Sequence, residues 1–159
     1  MASVKRKPTP QRPSGELLVL EDFLPYRLSI LSNRVSRAIA ARYAKTFNLT
    51  IPEWRIIAVL GRQPGLTAKE VAEATEMDKV AVSRAVARLV ASRRVAARAD
   101  RDDARKQVLT LTALGEDVHA RIAPIALAAE QKLLASLSAR ERDQLAELLD
   151  RLLESARSL

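Results

Sequence analysis

Within residues 67–89, TAKEVAEATEMDKVAVSRAVARL, four polar side chains have the types and spacing needed to read a DNA groove. Lys79, Ser83, Arg84 and Arg88 fall outside the apolar stripe of a predicted helix and share its exposed side. A lysine and a serine near a helix start can reach phosphates or base edges. A guanidinium can grip O6 and N7 of guanine with two hydrogen bonds, which makes Arg84 the candidate for base readout. Arg88 lies a turn further on and would serve either the phosphate backbone or an internal ion pair. The same residues are also compatible with a plain helical hairpin whose basic face is only solvated.

The elements that must position these residues follow from the local pattern. Thr67 with Glu70 three residues later predicts a capping box at the start of the first short helix. Val71, Ala72 and Thr75 are its inward positions, and Met77 fills the turn. Asp78 is placed to cap the second helix, whose inward positions are Val82, Val86 and Leu89. Upstream, a long helix is expected over residues 22–47, with Leu24, Leu28, Leu31, Val35, Ile39 and Tyr43 at three- and four-residue spacing. Arg27, Arg34, Arg37, Arg42 and Lys45 lie on its other side. Pro52 suits the first turn of a helix over 53–63 that carries Trp54, Ile57, Ala58 and Leu60 and ends at Pro64-Gly65.

Downstream the periodicity changes. Residues 95–99 and 108–111 predict the strands of a hairpin, with a charged tip over 100–106 that holds Arg101, Asp103 and Arg105. Arg105 and Arg101 could enter a minor groove with Asp103 holding the arginine, or the tip could be a surface turn with self-compensating ion pairs. Thr112 caps a further helix to about residue 137, in which Pro124 should introduce a kink. Ser138 with Glu141 opens a last helix striped by Leu145, Leu148, Leu149, Leu152 and Leu153. The expected fold is mainly α with a small β-hairpin wing. A winged helix-turn-helix lobe over 52–111 lies between long helices over 22–47 and 112–158, in one domain spanning 19–159. The end helices carry more apolar face than the central lobe can cover, which predicts a homodimer built from them.

Composition narrows the function classes. The chain has 159 residues, 48% hydrophobic, only 3% aromatic, and a formal net charge of +8, so a polyanionic partner is expected, nucleic acid before an anionic membrane. It has no cysteine and a single histidine, which removes thiol-based redox sensing and leaves almost no ligands for zinc. No cofactor and no metal are expected. No apolar run approaches the roughly 20 residues needed to span a bilayer, and a basic N-terminus without an apolar core segment is no secretory signal, so the expected location is the cytoplasm. Residues 1–18 contain Lys5, Arg6, Lys7 and Arg12 among prolines and are expected to form a mobile basic tail. An enzyme is disfavoured, because the aspartates at 100, 102 and 103 sit on an Arg-laced tip poorly suited to hold a general acid. The chain also has only four glycines and no phosphate-cradling loop.

In this order the motifs resemble the MarR (multiple antibiotic resistance regulator) family of bacterial transcription factors. MDKVAVSRAVARLV carries the resemblance most specifically, together with Asp103-x-Arg105 followed by Val108-Leu109-Thr110-Leu111-Thr112-x-x-Gly115. IPEWRIIAVL and LTAKEVAE add to it. The resemblance implies an obligate homodimer with a winged helix-turn-helix lobe in each subunit, usually a repressor, released from double-stranded DNA by a small ligand. It also favours the DNA-contacting reading of Arg101, Asp103 and Arg105. The chain departs from the family at Ala104, where a second arginine is frequent, and at Glu76, where many helix-turn-helix proteins have glycine. Glutamate is tolerable at Glu76 if the residue keeps a negative φ.

Without cysteine, the expected effector is an organic anion. Trp54, Arg55 and His119 could line a cleft beside the first helix, where Tyr26, Ser29, Ser32 and Asn33 also face. Taken singly, Trp54 is more often a packing residue and His119 a surface one. The EW…VAVSRAV texture resembles regulators of aromatic-acid breakdown, which implies an aromatic acid or its CoA thioester as effector. The competing reading is a non-specific architectural DNA-binding protein, which the charge alone would fit.

Overall fold

The computed structural model describes residues 18–100, 103 and 105–159. The expected basic tail, apart from Leu18, therefore lies outside the described residues, as does Arg101. The chain divides into two units, one up to Arg34 and one from Val35 onward.

A short 3-10 turn, Leu20–Asp22, precedes α1, Leu24–Phe47. The helix starts two residues later than the apolar spacing suggests, because Leu20–Asp22 takes the tighter turn. Its stripe is far less buried than the periodicity implies. Tyr43 is its only buried residue, and Leu24, Leu28 and Leu31 are exposed.

Asn48 adopts a left-handed conformation, and Thr50 then caps α2, Ile51–Arg62. Here the chain uses a capping box that the sequence reading missed. Glu53 N–H donates to Thr50 Oγ1 at 3.4 Å, and Glu53 Oε2 accepts from Thr50 N–H and its hydroxyl at 2.7 Å each. Those bonds place the helix start at Ile51, before the expected Glu53. α3 (Ala68–Thr75) and α4 (Lys79–Ala91) follow, then α5 (Ala113–Leu134) and α6 (Ala139–Ala156). α5 continues through Pro124 and ends three residues before the expected stop.

The sheet has three strands where a two-stranded hairpin is expected. β2, Val95–Ala99, pairs antiparallel with β3, Gln107–Leu111, and β1, Leu66–Thr67, adds to the other edge of β3. The register sets Leu66 against Leu109 and Val95 against Leu111. The third strand fixes the wing to the start of α3, which supplies the packing that a lone hairpin lacks.

One core joins the end of α1, α2 to α5 and the sheet. Ile56, Ile57 and Leu60 of α2, Val71 of α3, Val82 and Leu89 of α4, Val95 and Leu109 of the sheet, and Val118 and Ile122 of α5 are all buried. On α4 the third inward residue is Ala85 rather than Val86, which is half-buried against the core. A small side chain there suits close helix packing. Thr75 is half-buried, and its hydroxyl is spent on Val71 O at 2.7 Å.

Candidate nucleic-acid interface

The reading unit is built by two caps and one turn. Thr67 and Glu70 form a complete capping box on α3, with both Thr67 donors on Glu70 Oε2 at 2.7 Å. These bonds hold the Glu70 carboxyl below its ordinary pKa, the backbone N–H of Thr67 first and its hydroxyl second. Asp78 Oδ1 accepts from Val80 N–H at 2.9 Å and Ala81 N–H at 3.1 Å, which fixes the start of α4. Between the caps, Glu76 ends α3 in the left-handed region with φ 50° and ψ 34°. The condition attached to glutamate at this position therefore fails. The turn needs a positive φ so that Met77 N–H can reach Ala72 O at 3.2 Å, and a non-glycine residue takes it with strain.

This geometry leaves Lys79, Ser83, Arg84 and Arg88 exposed on α4, opposite Val82, Ala85 and Leu89. Arg88 differs from the other three. Its Nε lies 3.0 Å from Glu53 Oε1, and the Glu53 side chain is only 4% exposed. With Thr50 on its second oxygen, the Glu53 carboxylate is fully partnered, and the pair ties α4 to the first turn of α2. The internal ion pair foreseen as one option for Arg88 is thus present.

At the wing tip Asp103 Oδ1 accepts the backbone N–H of Arg105 at 3.1 Å. Asp103 N–H donates to Asp100 Oδ1 at 3.0 Å, and Asp100 N–H to Lys106 O at 2.8 Å. Asp103 therefore shapes the turn through the main chain, and the Arg105 side chain stays exposed. Two exposed cations on the same wing escaped the sequence reading, Arg98 on β2 and Lys106 beside Arg105. The β-strand register was the signal that could have found Arg98, since it shares the hairpin with the tip.

The expected ligand residues divide between the two units. Tyr26, Ser29 and Asn33 lie on the early turns of α1, where Asn33 Nδ2 donates to Ser29 Oγ at 3.4 Å. Trp54, Arg55 and His119 lie in the second unit and are half-buried. The Trp54 and His119 rings stack with centroids 6.0 Å apart, and Trp54 also meets Tyr43 at 5.9 Å. A Cβ on Gly61 would sit 2.7 Å from His119 Cδ2, so the imidazole lies directly on the α2 backbone. An open cleft of about 380 Å³ beside it is lined by Leu60, Gly61, Pro64, Thr110, Leu111, Glu116 and His119. Arg55 Nη2 donates to Ser36 Oγ at 3.4 Å. Tyr43, not foreseen as a polar site residue, is 1% exposed and its hydroxyl has no hydrogen-bond partner among the described residues. Burial pushes its pKa up to about 12, against a smaller opposing pull from Arg55.

Comparison with known proteins agrees with this architecture. The sequence model of the MarR family matches residues 47–106, which contain the reading unit and most of the wing. The chain is 28% identical over 131 residues to an HTH-type transcriptional repressor of Mycobacterium tuberculosis, covering 82% of this chain and 91% of the relative. A MarR/EmrR family transcriptional regulator from Acinetobacter superposes with a TM-score of 0.81 at 25% identity, over 89% of this chain and 100% of that one. A Bordetella bronchiseptica regulator whose DNA binding is regulated by 6-hydroxynicotinic acid superposes with a TM-score of 0.75 at 23% identity, over 86% and 97% of the two chains. By this likeness in sequence and fold, the chain belongs to the MarR family of DNA-binding transcriptional regulators.

Proposed function

We propose that the protein is a homodimeric repressor that reads a pseudo-palindromic operator and is released from it by a small organic anion. The observation that carries this reading is the division of α4. Val82, Ala85 and Leu89 are buried, while Lys79, Ser83 and Arg84 stand free on the other side of a helix fixed by Asp78. In this reading Lys79 and Ser83 meet phosphate or base edges, and Arg84 grips a guanine. Arg105 and Arg101 enter the minor groove, with Arg98 and Lys106 on the flanking phosphates. Arg88 acts from inside, holding α4 against Glu53. Two subunits related by a two-fold axis would place their reading helices on half-sites roughly one helical turn apart.

For the effector, the supporting features are Arg55 as the cation and Trp54 and His119 as stacking surfaces. That set suits an aromatic acid or its CoA thioester, and the response of the Bordetella regulator to an aromatic acid supports the same chemistry. Repression is supported by the Mycobacterium relative.

The test of the DNA reading is competition. A duplex selected by the wild-type protein from a random pool should keep its hold against excess random duplex. Equal displacement by random duplex would make the protein an architectural binder instead. For the effector, 6-hydroxynicotinic acid, other aromatic acids and their CoA esters should raise the melting temperature of the wild type and not of Arg55→Ala. If none shifts the wild type, the effector class is wrong.

A further inference from the structure

The junction between α4 and the wing holds an arginine that neither the DNA reading nor the effector reading uses. Arg94 is tied to four elements. Its N–H donates to Leu89 O of α4 at 2.9 Å, and its carbonyl accepts from Thr112 N–H, the cap of α5, at 3.0 Å. It immediately precedes β2. Its Nη2 donates to the carbonyl of Phe47, the last residue of α1.

Around these bonds the backbone is crowded and short of freedom. Thr112 Oγ1 donates to Arg93 O at 2.6 Å, and Arg93 itself is left-handed with φ 57°. A Cβ on Gly115 would lie 2.1 Å from Arg94 O, so only glycine lets α5 approach this carbonyl. On the α1 side, the guanidinium of Arg121 sits 4.7 Å over the Phe47 ring. The Arg94 Nε is buried and has no hydrogen-bond partner among the described residues. Arg94 is half-buried, and its guanidinium gives the Phe47 carbonyl one charge-assisted hydrogen bond at the end of α1. The carbonyl end of a helix is also where a positive charge is most favoured.

We propose that Arg94 is a positioning residue: it locks the C-terminal end of α1 to the joint between the reading helix and the wing. Through this lock the placement of α1 sets how α4 and the wing are presented together to DNA. Arg94 acts through Phe47, Leu89 and Thr112 and touches no nucleotide. The inference rests on the DNA-binding role of α4 and the wing, and the controls separate its failure from a failure of that role.

The experiment compares wild type, Arg94→Met and Arg94→Lys. Binding to a wild-type-selected duplex and to a random duplex of equal length is titrated at several salt concentrations, with thermal unfolding followed alongside. Arg94→Met keeps the stem and removes the guanidinium. It should lose roughly tenfold in affinity for the selected duplex. Its affinity for random duplex and its salt slope should stay at the wild-type values, and Arg94→Lys should recover most of the loss. A parallel loss on both duplexes with a salt slope lower by about one would make Arg94 a phosphate contact and overturn the proposal. So would unchanged affinity for the selected duplex with only the melting temperature lowered. Should Arg94→Met not fold, Arg94→Gln decides, since its shorter amide falls short of the Phe47 carbonyl: wild-type affinity for the selected duplex overturns the proposal. If wild type itself does not distinguish the two duplexes, the DNA-reading role fails and not the lock alone.

Discussion

Glu76 shows how a single backbone angle decides a residue's energetics. With φ 50° it adopts a conformation that costs a side-chain-bearing residue roughly 1–2 kcal/mol relative to the right-handed region. Glycine is free of that cost but loses more chain entropy on folding, so Glu76→Gly should raise stability by about 0.5–1 kcal/mol. Urea unfolding would show this as a higher midpoint at unchanged slope; a lower midpoint would mean that the glutamate side chain contributes something no bond here records. Tyr43 gives a second residue-scale test. Its buried hydroxyl lacks a partner among the described residues, so Tyr43→Phe should be neutral to about 1 kcal/mol stabilising rather than a loss. Its pH signature has a definite sign. The folded pKa, pushed up to about 12, lies above the unfolded value, so the unfolded phenol ionises first. Tyr43's contribution is intact below about pH 10 and is lost as the pH rises towards the folded pKa. Stability measured from pH 9 to 12 should therefore decline more steeply for wild type than for Tyr43→Phe, and equal slopes would contradict the burial of this group.

At the scale of elements, the helices of the reading unit were legible because their starts are written in side chains. Thr67 with Glu70, Asp78 alone, and Ser138 with Glu141 all cap as their spacing dictates. The equivalent box at Thr50 and Glu53 is less legible, because Pro52 between them fits any position of the first turn and leaves the start of α2 open. β1 was not legible at all: a strand of 2 residues has no period, and only its pairing with β3 defines it. Apolar spacing favours the bulk of Val86, whereas close packing of α4 places the small Ala85 inward. Arg88 was left with two roles in the sequence, and the buried carboxylate of Glu53 decides between them only in three dimensions. Arg88→Met should lower stability by about 1–2 kcal/mol. That is less than for a fully buried pair, because Arg88 is more than half exposed and Thr50 still serves Glu53. The salt slope of DNA binding should not change. A slope reduced by about one would return Arg88 to the set of phosphate contacts.

At the scale of the whole molecule, the apolar surface is the part the isolated chain leaves unexplained. No residue of α6 is buried, and Leu148, Leu152 and Leu153 are 53%, 44% and 66% exposed. An amphipathic helix left bare in this way suits an interface between copies, as the periodicity of the two ends implied. Leu149→Glu with Leu152→Glu should convert a dimer into monomers in sedimentation equilibrium and weaken operator binding with it. A wild type that sediments as a monomer at micromolar concentration would remove the two-fold reading. Base readout by Arg84 on α4 is tested by a binding matrix. Wild type and Arg84→Ala are each titrated against the selected duplex and every single-base-pair variant of it. Arg84→Ala should lose about 1–3 kcal/mol on the selected duplex, with discrimination relaxed at one base pair in each half-site and retained elsewhere. A loss spread evenly over all the duplexes would contradict it and leave Arg84 a backbone contact.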